Sequence, residues 1–419
     1  MMIKNIIFFL SISIYFCFAQ SGSSSPFSAA GLGDINFRGT QVTRFMGGLD
    51  VFSDSIHANL NNPASYGDLK LTTYSLGVHY KSNLMMSQES NEYKAIAALD
   101  YLAVGIPAGK FGFGFGLIPY SSIGYKIQSI INNDKEASIL NNYQGSGGLN
   151  QAFLSIGFPL LKYFTTGITM NYGFGTVFYR TSQFKENVNL GTFLSNSSSL
   201  SGFNYQISIN AKIPIKKQYN FRVMYSIEPS SDFNSRNERT IYTQDINGTR
   251  ISDFEEVNLD LIGRKETKLS LSKKTKFGFG FGKSKKWFVG VQKNSINSAI
   301  FGTEFMEKKN IKYSSGSQFS IGGFYLPNFS SLTSYWKRIV YRFGFRKENT
   351  GLIFNSFPLE ETSFSFGVGL PMAGFSNANI GFEFGRRGEK SKSFIQEKFF
   401  AFRIGFSLND RWFLKRKYN

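Results

Sequence analysis

The stretch FFAFRIGFSL, Phe399–Leu408, decides how the rest of the chain is read. Phe400, Phe402, Ile404, Phe406 and Leu408 alternate with Ala401, Arg403, Gly405 and Ser407. Successive side chains of a strand point to opposite faces, so this is one apolar surface backed by a small and polar one. The same split recurs at Phe203, Tyr205, Ile207 and Ile209 against Asn204, Gln206, Ser208 and Asn210. It recurs at Ile168, Met170, Tyr172 and Phe174 against Thr169, Asn171, Gly173 and Gly175. At Ile339, Tyr341, Phe343 and Phe345 the opposing row carries Arg342, Gly344 and Arg346. A soluble sandwich alternates as well, but it needs a second sheet over each apolar face. With 46 phenylalanines in 419 residues, lipid is the better cover.

Punctuation supports that choice. Ile106-Pro107, Phe158-Pro159, Ile213-Pro214, Leu326-Pro327 and Leu370-Pro371 each end an alternating run. Proline lacks the N–H that a ladder needs, and in most cases the next run starts within about five residues. Between these tight turns lie longer polar links, read as loops at 128–148, 182–201 and 230–265. Short turns alternating with long loops predict an all-β, transmembrane antiparallel barrel. Strands are expected near 70–81, 93–106, 111–127, 149–158, 164–181, 202–213, 219–229, 266–281, 287–305, 316–326, 339–348, 361–370, 375–387 and 395–408. That is about 14 strands, the even number a bacterial single-chain barrel takes. The heptapeptide KFGFGFG, present at Lys110–Gly116 and Lys276–Gly282, belongs to this wall. Its glycines alternate with phenylalanine inside a strand, whereas a phosphate loop places them where a strand turns into a helix.

The first nineteen residues read as a cleaved signal peptide: Lys4, an apolar run over Ile6–Phe18, and a small-x-small site ending at Ala19. A lipoprotein reading of Cys17 is disfavoured by bulky Phe16 just before it. Cys17 is the single cysteine, so the mature chain relies on no disulfide or thiolate. The formal charge is +19, and +18 once Lys4 is removed. Export and the scatter of these cations argue against nucleic acid and for membrane lipid and lipopolysaccharide as partners. The expected location is the outer membrane of a Gram-negative bacterium.

Residues 20–68 do not alternate, and they precede the first strand on the periplasmic side. Two readings follow: an N-terminal hatch folded into the barrel, or a free arm. Arg342, Arg346 and Arg403, facing the lumen, are expected to hydrogen-bond the hatch carbonyls. The segment around Arg44, Met46, Gly47 and Gly48, with the step Asn62-Pro63-Ala64, resembles the hatch of the FadL/TodX family. That resemblance implies a fourteen-stranded barrel at 69–408, plugged by its hatch. It also implies transport of small hydrophobic molecules with sideways exit at a kinked third strand. Other relatives in the resemblance are accessory barrels of outer-membrane assembly or secretion complexes, with further outer-membrane or periplasmic proteins as partners.

Pro119 interrupts the third strand and predicts a bulge or inward bend there. Pro119, Tyr120 and Ser121 are either a lateral gate or a bulge that passes nothing. Beyond Leu408 the tail 409–419 carries Trp412, Phe413, Lys415, Arg416 and Lys417. It is read either as an interfacial anchor or as a docking peptide. Catalysis is the weakest reading and no cofactor is expected, because the two histidines, His57 and His79, have no ligand-spaced partners. The long link at 230–265, with Phe233, Ile241, Tyr242 and Phe254, suits contact with another envelope protein.

Overall fold

The computed structural model describes residues 22–412, apart from 89, 134–135, 217, 246, 298–310, 375 and 391–394. Fourteen antiparallel staves follow one another around a closed ring. They are β1 (Thr72–Met86), β2 (Asn91–Ala108), β3 (Phe111–Asn133), β4 (Glu136–Leu161) and β5 (Phe164–Lys185). Then come β6 (Leu190–Lys216), β7 (Tyr219–Glu228 and Ser231–Asp245), β8 (Glu266–Leu271 and Lys274–Lys283) and β9 (Trp287–Ile296). The last five are β10 (Ile311–Tyr313 and Gly316–Tyr325), β11 (Val340–Phe354), β12 (Phe357–Pro371), β13 (Asn377–Arg387) and β14 (Gln396–Asp410). β14 pairs with β1 from Asp410↔Thr72 to Gln396↔Met86, which closes the ring. Closure removes the outer edges that an open sheet would expose to lipid.

The alternation is realised as expected. Phe400 is 46% exposed on the outer surface, whereas its neighbour Ala401 is fully buried. Phe111, Phe113 and Phe115 of the first KFGFGFG copy face outward, and so do Phe277, Phe279 and Phe281 of the second. One position departs: Ile339 follows the short 3-10 helix Trp336–Arg338 and is buried. The exposed row of β11 therefore begins after it.

The polar links at 128–148 and 182–201 are mostly strand, and the one at 230–265 begins as strand over Ser231–Asp245. β3, β4, β5 and β6 run for 23, 26, 22 and 27 residues, against the roughly 9–11 that cross a bilayer. Above the lipid the outer face of a strand meets water and no longer has to be apolar. The ladder continues there while the apolar alternation disappears, so the sequence pattern reads as loop.

Inside the ring lies the N-terminal segment. Its 3-10 turn Pro26–Ala29 is capped by Ser25 Oγ, which accepts from the Phe27 N–H. Ala29 and Leu32 join an upper apolar cluster with Ile123, Leu149, Val177, Leu200 and Phe233. A four-residue helix, Gln41–Arg44, lies further along, and a second 3-10 turn, Pro63–Asp68, packs low against β3 to β6. At Gly112 and Gly114 the lumen-side hydrogens leave room for the Tyr66 carbonyl and ring, where any Cβ would collide. That is the structural use of these two glycines of the first KFGFGFG copy; in the second, Gly278 lies against Val51 and Gly280 against the Phe288 ring.

Candidate functional site: a wall seam and a charged lumen

Pro119 marks a real break in the wall. β2 and β3 pair only from Ala108↔Phe111 to Leu102↔Leu117. Above that point β2 stays paired with β1, and β3 with β4, the latter with a register shift between Pro119 and Ser121. Tyr120, Ser121, Ser122 and Ile123 are consecutive and all buried, so β3 has left the lipid-facing surface. Proline's missing N–H and its fixed φ explain why the ladder fails here.

The N-terminal segment takes over the freed edge of β3. Asp34 and Ile35 form a two-residue strand in register with Ser122 and Ser121. The Asn36 N–H donates to the Tyr120 carbonyl at 2.9 Å, and the Gly124 N–H donates to Ser28 Oγ at 3.1 Å. Backbone groups that β2 abandons are thus satisfied from within. Ser121 Oγ accepts from the Leu149 N–H at 3.3 Å, and Tyr120 Oη takes a hydrogen bond from Lys274 Nζ at 3.0 Å.

Beside the seam the lumen holds a buried ionic network. Arg44 Nε and Nη2 reach the two Glu383 oxygens at 2.7 and 2.9 Å. Glu383 also accepts from Arg403 Nε at 3.1 Å and from Arg346 Nη2 at 3.3 Å. Arg346 bonds Glu361 as well, and Arg387 bridges Glu361 to Asp34 of the N-terminal segment at 2.8 and 2.7 Å. Arg403 and His79 share Asp100.

This corrects the expected role of the lumen arginines. Among the described residues, Arg342 donates to Asn379 Oδ1, and Arg346 and Arg403 donate to wall carboxylates, not to carbonyls of the N-terminal segment. For Arg346 and Arg403 a carboxylate supplies the counter-charge that a buried guanidinium favours, whereas Arg342 rests on the neutral Asn379 oxygen. Residue-by-residue reading missed Asp34, Asp100, Glu361 and Glu383. The signal was present for Glu383, which sits between outward Phe382 and Phe384 and therefore points inward.

A cavity of about 230 Å³ lies among these groups. Ile35 and Ile96 line it on the seam side, while Arg38, His79, Lys274 and Glu348 represent its ionisable lining. Charged and apolar side chains share its walls, Phe37, Leu352, Leu359 and Phe399 among the latter.

The other expected positions fall as follows. Met46 is fully buried, and Gly47 (φ 73°) lies against the backbone of β11 at Gly344 and Phe345. Gly48 (φ 84°) donates its N–H to the Thr43 carbonyl at 2.9 Å. Asn62 bonds the Asp50 carbonyl, Asn210 and Ser208, Pro63 opens the lower 3-10 turn, and the Ala64 N–H donates to Ser208 Oγ. His57 Nδ1 is 2.7 Å from Asp54. Phe233 is fully buried and not available to a partner, because its ring fills the space left by Gly173 and Gly202. Phe254 and Ile241 remain exposed. The last strand runs on through Asn409 and Asp410, which pair with Thr73 and Thr72. Trp412 lies with its ring 5.8 Å from that of Tyr74. Phe413, Lys415, Arg416 and Lys417 lie outside the described residues, as do residues 1–19, expected to be a signal segment.

The sequence profile of the BamG family matches residues 1–419, the whole chain. The chain belongs to the BamG family. Its fold is shared with solved FadL-type barrels. The Ralstonia pickettii toluene transporter TbuX is 12% identical with a TM-score of 0.61, covering 89% of this chain and 99% of its own. The Pseudomonas putida toluene transporter TodX is 13% identical with a TM-score of 0.58, covering 90% and 100%. A Pseudomonas aeruginosa FadL homologue is 11% identical with a TM-score of 0.52, covering 91% and 99%. No curated protein matches in sequence. This member of the BamG family is therefore an outer-membrane barrel of FadL-like fold, and its solved neighbours of that fold are transporter or channel barrels.

Proposed function

We propose that the chain is an accessory barrel subunit of an outer-membrane protein assembly or secretion complex, its lumen sealed by residues 20–68 acting as a hatch. The observation that carries this reading is the strand Asp34–Ile35, which extends the β3 edge at the one break found in the wall among the described residues. Two ion pairs, Arg44–Glu383 and Arg387–Asp34, tie the same segment to β13. A conduit for apolar molecules works best with a continuous apolar lining, and here ionisable side chains interrupt the apolar lining beside the seam. Membership of the BamG family over the full length supports the same reading.

A second reading keeps transport: a small hydrophobic molecule leaves sideways between β2 and β3 above Leu102 and Leu117. It is favoured by the open seam itself and by the likeness to the two toluene transporters. Gentle purification from native membranes separates the two. A stable stoichiometric protein partner is expected. A partner-free barrel carrying an apolar molecule would overturn the accessory reading. Replacing Pro119 with Val adds a second check, since unchanged uptake of apolar compounds by a folded variant removes the gate.

A further inference from the structure

A second cavity, of about 290 Å³, opens at the periplasmic mouth between the N-terminal segment and the wall of β4 to β7. Lys212 and Arg222 line it and stand directly opposite each other on β6 and β7. Like charges in that position repel and weaken the pairing. Lys70 and Lys162 line the same cavity, and Asp68 is the one carboxylate among its lining residues. Asp68 is already engaged by Ser53 Oγ at 2.6 Å, while Arg222 Nη1 bonds the Ser53 carbonyl at 2.7 Å. Among the described residues no carboxylate lies within ion-pair distance of Lys70, Lys162 or Lys212.

Asn210 adds an independent observation. It is 6% exposed, lines this cavity, and gives its Oδ1 to Asn62. Its amide nitrogen is buried with no hydrogen-bond partner among the described residues. A buried donor left unpaired costs about 1–3 kcal/mol, and four cations around one cavity repel one another. A single ligand with several acceptor oxygens and negative charge offsets both. The cavity rim includes Leu161 and Tyr163 of the β4–β5 turn, both exposed at the lower edge of the lipid-facing band, where inner-leaflet headgroups lie.

We propose that this pocket binds a phosphate group, carried by an anionic lipid headgroup or free in the periplasm. Phosphate fits because its oxygens accept at once from a guanidinium fork, from amide and from ammonium donors. The test uses the full folded chain in detergent, titrated with inorganic phosphate, with a short-chain phosphatidylglycerol, and with a short polyglutamate peptide. Thermal unfolding serves as the readout. A saturable rise with a phosphate-bearing probe is expected, with affinity falling at least tenfold in Lys212→Gln. Response to the lipid alone assigns the source to headgroups, and equal response to both probes assigns it to free phosphate. If neither phosphate probe binds, if only the peptide binds, or if Lys212→Gln binds as tightly as the parent, the proposal is wrong. Should Lys212→Gln fail to run as a compact barrel on a semi-native gel, Lys162→Gln on the exposed turn tests the same pocket.

Discussion

Arg44 and Glu383 form a two-point ion pair that joins the N-terminal segment to the barrel wall, at 2.7 and 2.9 Å. The two residues are 339 positions apart in sequence. The carboxylate is 2% exposed and also serves Arg346 and Arg403. Three guanidinium groups therefore converge on one buried acid. Removing one member of a buried pair leaves an uncompensated charge, at a cost of about 3–5 kcal/mol. Glu383→Gln is expected to destabilise the barrel by about that much. The check is the temperature at which the compact band converts to the unfolded band on a semi-native gel, which should fall clearly relative to the parent.

Ile35 and Ser121 face each other across the seam. Opposite residues of an antiparallel pair sit about 4.5–5.5 Å apart between Cα atoms, within disulfide range. Cys17 is the single cysteine in the sequence, so residues 18–419 carry none. Ile35→Cys with Ser121→Cys is expected to cross-link on mild oxidation, read as an intact link by mass spectrometry of a proteolytic digest. Partner association should survive the cross-link. Its loss on oxidation, with recovery on reduction, would mean that this segment has to move.

Phe233 tests the upper core. Its ring is fully buried against Gly173 and Gly202. Phe233→Ala leaves a void that a stiff ladder closes poorly, and about 3–5 kcal/mol is expected to be lost. The same melting assay measures it. A variant as stable as the parent would place the ring outside the core.

Asp54 gives a pH dependence. Burial alone would raise its carboxyl. The charge and hydrogen bond of His57, with N–H donations from Ile56 and His57, overcome this and hold it at about 2, against 3.8 ordinarily. A depressed acid contributes stability above its unfolded value and loses it as pH falls through its folded one. The turn at 54–57 should therefore hold at about pH 4 and loosen between about 4 and 2. Limited pepsin digestion across that window checks it, with new cleavage near Phe52 appearing only below about pH 4.

The fold was legible because its signal is local. Alternation has a period of two residues, prolines punctuate one end, and each strand of the membrane band reports its own faces. The strand ends were less legible. Above the lipid, Ser, Asn and Gln interrupt the rows of β3 to β7, and scattered apolar residues such as Val177, Leu200 and Phe233 turn inward to the core, so no regular alternation is left. Pro119 announced a break in the ladder, and one was there. Nothing local announced what would cover it.

From the sequence alone came the barrel, its fourteen staves, the outward aromatic rows and the inward arginines of β11 and β14. Tertiary structure decided who meets those arginines, and that Ile35 lies beside Ser121. A strand's own residues set which face a side chain points to, because backbone geometry enforces it. Which charge answers Arg403 or Arg44 depends on contacts far apart in the chain. Closure of the ring brings β14 beside β1 and β2, and the N-terminal segment folds in to meet β13, where an unpaired charge has no water to turn to.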